Sequence, residues 1–175
     1  LSVNIPEKPG AFKSFCDLIG ARNITEFNYR YADPDQAHIF VGVTISDVDD
    51  TKTLLKNFND AGLSANDLTQ NEMAKLHLRH MVGGHAPQAK DEVIYRFEFP
   101  EKPGALLSFL TNMGQNWNIS LFHYRNHGAD IGRVLIGMQV PQKDQGTFQK
   151  FLNQLEYPYF DETKNLGYKL FLGKN

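Results

Sequence analysis

The sequence runs to 175 residues, 41% of them hydrophobic, with 18 Lys and Arg set against 20 Asp and Glu. That is apolar material for one domain or two small ones, and a net charge of −2 lacks the basic excess of nucleic-acid modules. A single cysteine, Cys16, excludes an internal disulfide, and no apolar run approaches the roughly 20 residues that span a bilayer, so we expect a cytoplasmic protein with neither a membrane nor a nucleic-acid partner.

Leu1, Val3 and Ile5 alternate with Ser2 and Asn4, which predicts a half-buried strand ending at Pro6. The strand starts without Met and is already under way at Leu1, as expected of a piece of a longer protein. Pro9 and Gly10 make a turn, after which Phe12, Phe15, Cys16 and Ile19 recur at helical spacing up to Gly20. Phe27, Tyr29 and Tyr31 then share one face of a strand, with Glu26, Asn28 and Arg30 on the other. The turn residues Ala32 to Asp35 predict a hairpin into a strand whose inward face is Ile39, Val41, Val43 and Ile45. Asp49 or Asp50 is the expected cap of a second helix with the stripe Thr51, Leu54, Leu55 and Phe58. A weak strand, Ser64 to Thr69, closes this unit at residue 70. Residues 71–91 read as a linker, with a short helix from Glu72 to Met81 followed by Gly83-Gly84-His85-Ala86-Pro87.

From residue 92 the pattern starts again. Ile5-Pro6-Glu7-Lys8-Pro9-Gly10-Ala11 returns ninety-four positions on as Phe99-Pro100-Glu101-Lys102-Pro103-Gly104-Ala105, identical at six of seven residues. The stripe returns as Leu106, Phe109, Leu110 and Met113, ending near Gly114; after one inserted residue Asn118-Ile119 answers Asn23-Ile24 and Tyr124-Arg125 answers Tyr29-Arg30. Val134, Ile136, Met138 and Val140 match the return strand, and Phe148, Phe151, Leu152 and Leu155 the second helix. The predicted fold is therefore α+β: two tandem ferredoxin-like βαββαβ units, each an antiparallel sheet with both helices on one face, packed side by side. Gly167 to Leu172 reads as one extra strand, expected at a sheet edge in the first unit. The face away from the helices carries His38, Phe40, Gly42 and Thr44, then Arg133, Leu135, Gly137 and Gln139, a mixture that suggests a surface packing against it.

The Pro-Gly-Ala turn is the best site candidate. Glycine lets a ligand approach the backbone, and the unpaired N–H groups at a helix start suit a carboxylate, although a tight strand-to-helix turn would use the same residues. His77, His80 and His85 lie close in sequence without the cysteine pair or acidic set of a metal site. No nucleophile elbow or Walker loop is present, the carboxylates Glu7, Glu101, Asp35 and Asp130 fall at turns, and Cys16 lies on a core stripe, so we expect neither catalytic nor metal-binding residues.

Two Glu-Lys-Pro-Gly-Ala turns in βαββαβ units resemble the ACT domain, a sensor of amino acids and other small molecules. The segments Thr25 to Arg30, Glu72 to His77 with Met81 to Gly84, and Trp117 to Arg125 narrow the resemblance to the C-terminal regulatory region of biosynthetic threonine deaminase, over essentially the whole chain. That resemblance implies an upstream pyridoxal-phosphate catalytic domain that converts threonine to 2-oxobutanoate and ammonia, inhibition by isoleucine, opposition by valine, and a homotetramer. This chain lacks the Ser-x-Lys setting and glycine-rich loop that would hold pyridoxal phosphate, so no cofactor is expected here and the fragment should not be an enzyme. The resemblance places effector binding at Gly10, Ala11, Phe12, Arg22 and Tyr29, with Gly104, Ala105, Leu106 and Tyr124 in the second copy. Phe12 and Leu106 fit a core stripe equally well, and Tyr29 and Tyr124 an inward strand face. Two alternatives stand beside this reading. A free-standing amino-acid-binding ACT sensor would share every feature named, whereas an RNA-binding ferredoxin-like module would need an aromatic, basic sheet face that the sequence does not offer.

Overall fold

The computed structural model describes residues 1–80, 83–100, 104–113, 116–126 and 130–173. The Glu101-Lys102-Pro103 part of the repeated motif, Gly114 and Met81-Val82 lie outside them. The first copy runs β1 (Ser2–Pro6), α1 (Ala11–Ile19), β2 (Ile24–Arg30), β3 (Gln36–Val43), α2 (Val48–Asp60) and β4 (Ala65–Asn66). After α3 (Glu72–Leu76) and a 3-10 turn at Leu78–His80, the second copy runs β5 (Glu92–Pro100), α4 (Ala105–Met113), β6 (Asn118–Arg125), β7 (Ile131–Gln139), α5 (Gln145–Gln154) and β8 (Tyr159–Asp161). A last helix, α6, spans Leu166–Phe171.

The two expected sheets are one. Strands follow the order β4-β1-β3-β2-β6-β7-β5-β8, every pairing is antiparallel, and the join is β2 against β6. Each unit's β2-type strand would otherwise be a sheet edge with unpaired N–H and C=O groups, and pairing the two edges satisfies both.

Alternation puts Val3, Ile5, Phe27, Tyr29, Ile39 and Val41 on the helix-covered face, all buried. Phe15 of α1 stacks on Phe58 of α2 with centroids 5.4 Å apart and meets Phe27 edge-on at 5.7 Å. In the second copy Phe109 packs on Phe97 at 4.9 Å, and Phe151 on Trp117 at 5.6 Å. Each such ring contributes about 2–3 kcal/mol by leaving water. The cores meet across the seam, where Phe27 and Phe122 lie 4.6 Å apart.

Several local expectations change. Asp47, rather than Asp49 or Asp50, caps α2 by accepting the Asp50 N–H at 2.8 Å, leaving the Asp50 carboxylate free for other partners. The strand expected over Ser64 to Thr69 shortens to Ala65–Asn66, which pair with Val3 and Ser2 of β1, with one further bond from the Asn4 N–H to the Ser64 carbonyl. The helix expected over Glu72 to Met81 breaks at His77 into α3 and the 3-10 turn.

The extra strand is instead α6: the Lys169 and Leu172 N–H groups bond the carbonyls of Asn165 and Tyr168. Tyr168 and Leu172 sit four residues apart, a helical spacing, and both hold the far side of the sheet. The Tyr168 hydroxyl donates to Glu92 at 2.6 Å, and the Leu172 carbonyl accepts from Arg30.

The chain itself covers the outer face over β2, β6 and the start of β5, where buried polar groups lie, whereas His38, Thr44 and Arg133 of the mixed set stay exposed. Arg79 of the 3-10 turn pairs with Glu26, and Arg30 joins Glu92, Ser120 and the Gly84 carbonyl. His85, in the linker, shares a 2.6 Å bond with the Gly173 carbonyl. Among the described residues no helix is long and apolar enough to cross a membrane.

Candidate functional site

The glycines of the two repeated turns have the same local geometry. Gly10 and Gly104 both take φ 84°, a left-handed conformation that an L side chain would strain, and each carbonyl accepts the N–H four residues on, from Ser14 and Ser108. Ala11 and Ala105 follow, buried against the sheet. Each turn therefore starts a helix, although in the first copy the Ala11 N–H is already taken by the Lys8 carbonyl at 3.2 Å.

The seam then treats the two turns differently. A pocket opens where the end of α1 in the first unit faces the start of α4 in the second. The first unit supplies Cys16, Gly20, Arg22, Asn23 and Ile24; the second supplies Phe99, Pro100, Gly104, Ala105, Leu106, Leu107, Tyr124 and Val134. Five residues expected from the sequence meet here, namely Arg22, Gly104, Ala105, Leu106 and Tyr124.

Gly10, Ala11, Phe12 and Tyr29 do not line it and sit together at the mirror position. Phe12 is buried there, its ring 5.0 Å from Tyr29, 5.6 Å from Phe27 and 6.2 Å from Phe122 of the other unit. The Tyr29 hydroxyl donates to Glu7, and the other Glu7 oxygen accepts from Asn118 Nδ2 at 2.7 Å. Glu7 thus ties the first turn to the second unit. Burial raises its carboxyl above the usual range, against the opposing pull of the Tyr29 and Asn118 bonds. Burial and then the Glu7 bond push the Tyr29 phenol up as well, so its hydroxyl stays a donor.

The pocket lining is chemically mixed. It combines Arg22 and the α4 start at Gly104 and Ala105 with the apolar residues Ile24, Phe99, Leu106, Leu107 and Val134. Arg22 is half-buried in the turn after α1. Its Nε bonds Asp50 at 3.0 and 3.3 Å, Nη2 bonds Asp50, and Nη1 donates to the Ile19 carbonyl at 2.9 Å. The Asp50 carboxyl is held below its usual range, first by Arg22 and then by the Ser46 N–H. Burial pushes the Cys16 thiol well up, so it lines the pocket as an apolar, unreactive group. One cationic side chain among apolar walls fits a small amphiphile with an anionic head.

Sequence reasoning missed Asn23, Ile24, Phe99, Pro100, Leu107 and Val134 as pocket walls. The repeat alone pairs each turn with its own unit. Only the β2–β6 seam sets the α1 end of one copy against the α4 start of the other.

Comparison with known proteins places this geometry in a family. The family described as the C-terminal regulatory domain of threonine dehydratase matches residues 1–78 and 83–172. Biosynthetic L-threonine dehydratase of Burkholderia multivorans is 54% identical across 98% of this chain and 34% of its own length. The Escherichia coli enzyme is 51% identical over the same shares, and the mitochondrial threonine dehydratase of Saccharomyces cerevisiae is 45% identical across 97% of this chain and 31% of its own length. The chain thus spans about a third of these relatives. An aspartate kinase from Synechocystis shares the fold, with a TM-score of 0.55 at 11% identity over 91% of this chain and 28% of that one. The chain belongs to the family of C-terminal regulatory domains of threonine dehydratase.

Proposed function

We propose that this chain senses isoleucine and valine for a threonine dehydratase whose catalytic part, with its pyridoxal phosphate, lies outside it. Isoleucine inhibits and valine activates the conversion of threonine to 2-oxobutanoate and ammonia in that part. The observation that carries the reading is the pocket shared by both units, with Arg22 from one and the Gly104-Ala105 helix start from the other. On this reading a carboxylate meets the cation and the positive end of the α4 dipole, and an aliphatic side chain meets Ile24, Leu106 and Val134. One methylene separates the two effectors, worth only about 0.8 kcal/mol of contact. Opposite effects therefore need each ligand to favour a different arrangement of the units. A ligand gripping both sides of the β2–β6 seam is placed to set that arrangement. In the parent protein, a cytoplasmic homotetramer on this reading, the catalytic domain would feel the seam through the first unit.

Titration calorimetry of isoleucine into the chain tests the proposal. We expect saturable binding that valine displaces and that Leu106→Trp, which fills the pocket, removes. Heats of dilution alone with the wild-type chain, or full binding by Leu106→Trp, would overturn it.

A further inference from the structure

We infer that Asp50 is a positioning residue of this pocket: from the first turn of α2 it aims the Arg22 guanidinium so that its outer N–H groups meet the ligand's carboxylate. The inference rests on the reading of the pocket as a carboxylate site. Arg22 lies in the turn between α1 and β2, where an unrestrained arginine would sample many rotamers and lose that freedom on binding. Here the fork is fixed beforehand, on one edge by both Asp50 oxygens and at Nη1 by the Ile19 carbonyl. Asp50 is itself fixed, because its N–H is held by the Asp47 cap and its Oδ2 accepts the Ser46 N–H at 3.2 Å. The α2 N-terminus therefore sets where the cation stands.

The donor count leaves room for a ligand. A guanidinium has five N–H groups. Asp50 takes one from Nε and one from Nη2, and Ile19 takes one from Nη1. One N–H remains on each terminal nitrogen, the pair that a carboxylate accepts side by side. Asp50 also offsets part of the positive charge, so removing it tests orientation against attraction: lost aim weakens binding, and freed charge alone would strengthen it.

Isoleucine titrations of the 175-residue chain separate these outcomes. Asp50→Asn keeps the side chain's size and an acceptor for Ser46, and we expect about tenfold weaker binding, with a thermal midpoint close to wild type. In an Arg22→Lys background, which keeps the charge and loses the fork, the same change should shift affinity less than about twofold. Asp50→Glu, which restores a carboxylate, should recover part of the loss. Unchanged or tighter binding by Asp50→Asn overturns the role, and so does an equal loss in both backgrounds, which a purely structural effect would produce. Absence of isoleucine binding by the wild-type chain overturns the pocket reading and this role with it, a result distinct from a wild type that binds and an Asp50→Asn that binds as well.

Discussion

Asn28 of β2 and His123 of β6 face each other across the seam, and each stands where the repeat places the other. The neighbouring pairs, Phe27 with Tyr124 and Tyr29 with Phe122, exchange under the same operation. A pseudo-twofold axis therefore passes between Asn28 and His123. It explains why the helix starts of the two units lie at equivalent places around the seam, and why the open pocket mixes residues of both.

The far side of the seam is pinned by a buried ion pair, Arg30 Nη1 to Glu92 Oε1 at 2.5 Å, with side-chain exposures of 4% and 2%. Arg30 also donates to the Gly84, Ser120 and Leu172 carbonyls, and Glu92 also accepts from Ser120 and Tyr168. Arg30→Met leaves a buried carboxylate without its cation, and we expect a loss of about 3–5 kcal/mol in urea unfolding. Arg30→Met with Glu92→Leu should cost less than Arg30→Met alone. A larger loss in the double variant would show that the pair is worth more than the burial of its charges costs.

Gly137 of β7 marks a second tight point. A Cβ there would lie 2.9 Å from Ile94 Cδ1, Leu121 Cβ and Ser120 Oγ. Two of these atoms belong to β6 and one to β5, the strands on either side, and the Ser120 hydroxyl is committed to Glu92. Gly137→Ala should therefore destabilise by about 1–3 kcal/mol, read as a lower denaturant midpoint with an unchanged slope. No change in midpoint would mean that β6 and β7 can part without cost.

These two sites show where sequence reading stops. The stripe of Phe12, Phe15, Cys16 and Ile19 and the alternation of Ile39, Val41 and Val43 are local patterns, and the units could be drawn from them. Arg30 and Glu92 are sixty-two residues apart, and as single letters both read as surface charges. Their burial follows from the β2–β6 join and from α6 folding back, which no local period encodes. Gly167 to Leu172 misled for the same reason: six mixed residues satisfy a strand or a helix, and the contacts of Tyr168 and Leu172 decide. The pocket was half legible, since the motif marks Gly104 and Ala105 whereas Ile24 and Phe99 become its walls only once the copies pack.

Acid and base should read the Glu7 contact. Burial holds its carboxyl above the ordinary value near 4.5, so folding favours the protonated form. The resulting stability is fully present below the unfolded value and is lost as pH rises through the higher folded value. Glu7→Gln removes that titration while keeping a polar group for Tyr29 and Asn118. Wild-type stability measured relative to Glu7→Gln should fall as pH rises through this window. Parallel profiles for the two proteins would count against a raised carboxyl.

The two tyrosines of the repeat should separate stability from binding. Tyr124 lines the pocket, whereas Tyr29 spends its hydroxyl on Glu7 at the mirror position. Tyr29→Phe leaves the largely buried Glu7 carboxylate with Asn118 alone, which should cost about 1–2 kcal/mol of stability and change isoleucine affinity by less than about twofold. Tyr124→Ala removes a wall of the pocket, and we expect affinity to drop about tenfold or more, a loss of at least roughly 1.4 kcal/mol of binding. Because truncating a buried ring also weakens the fold, both variants are to be titrated well below their unfolding midpoints. If Tyr29→Phe weakened binding as much as Tyr124→Ala, the effector would also engage the first turn, and the two halves of the repeat would act as equivalent sites rather than as one open and one closed.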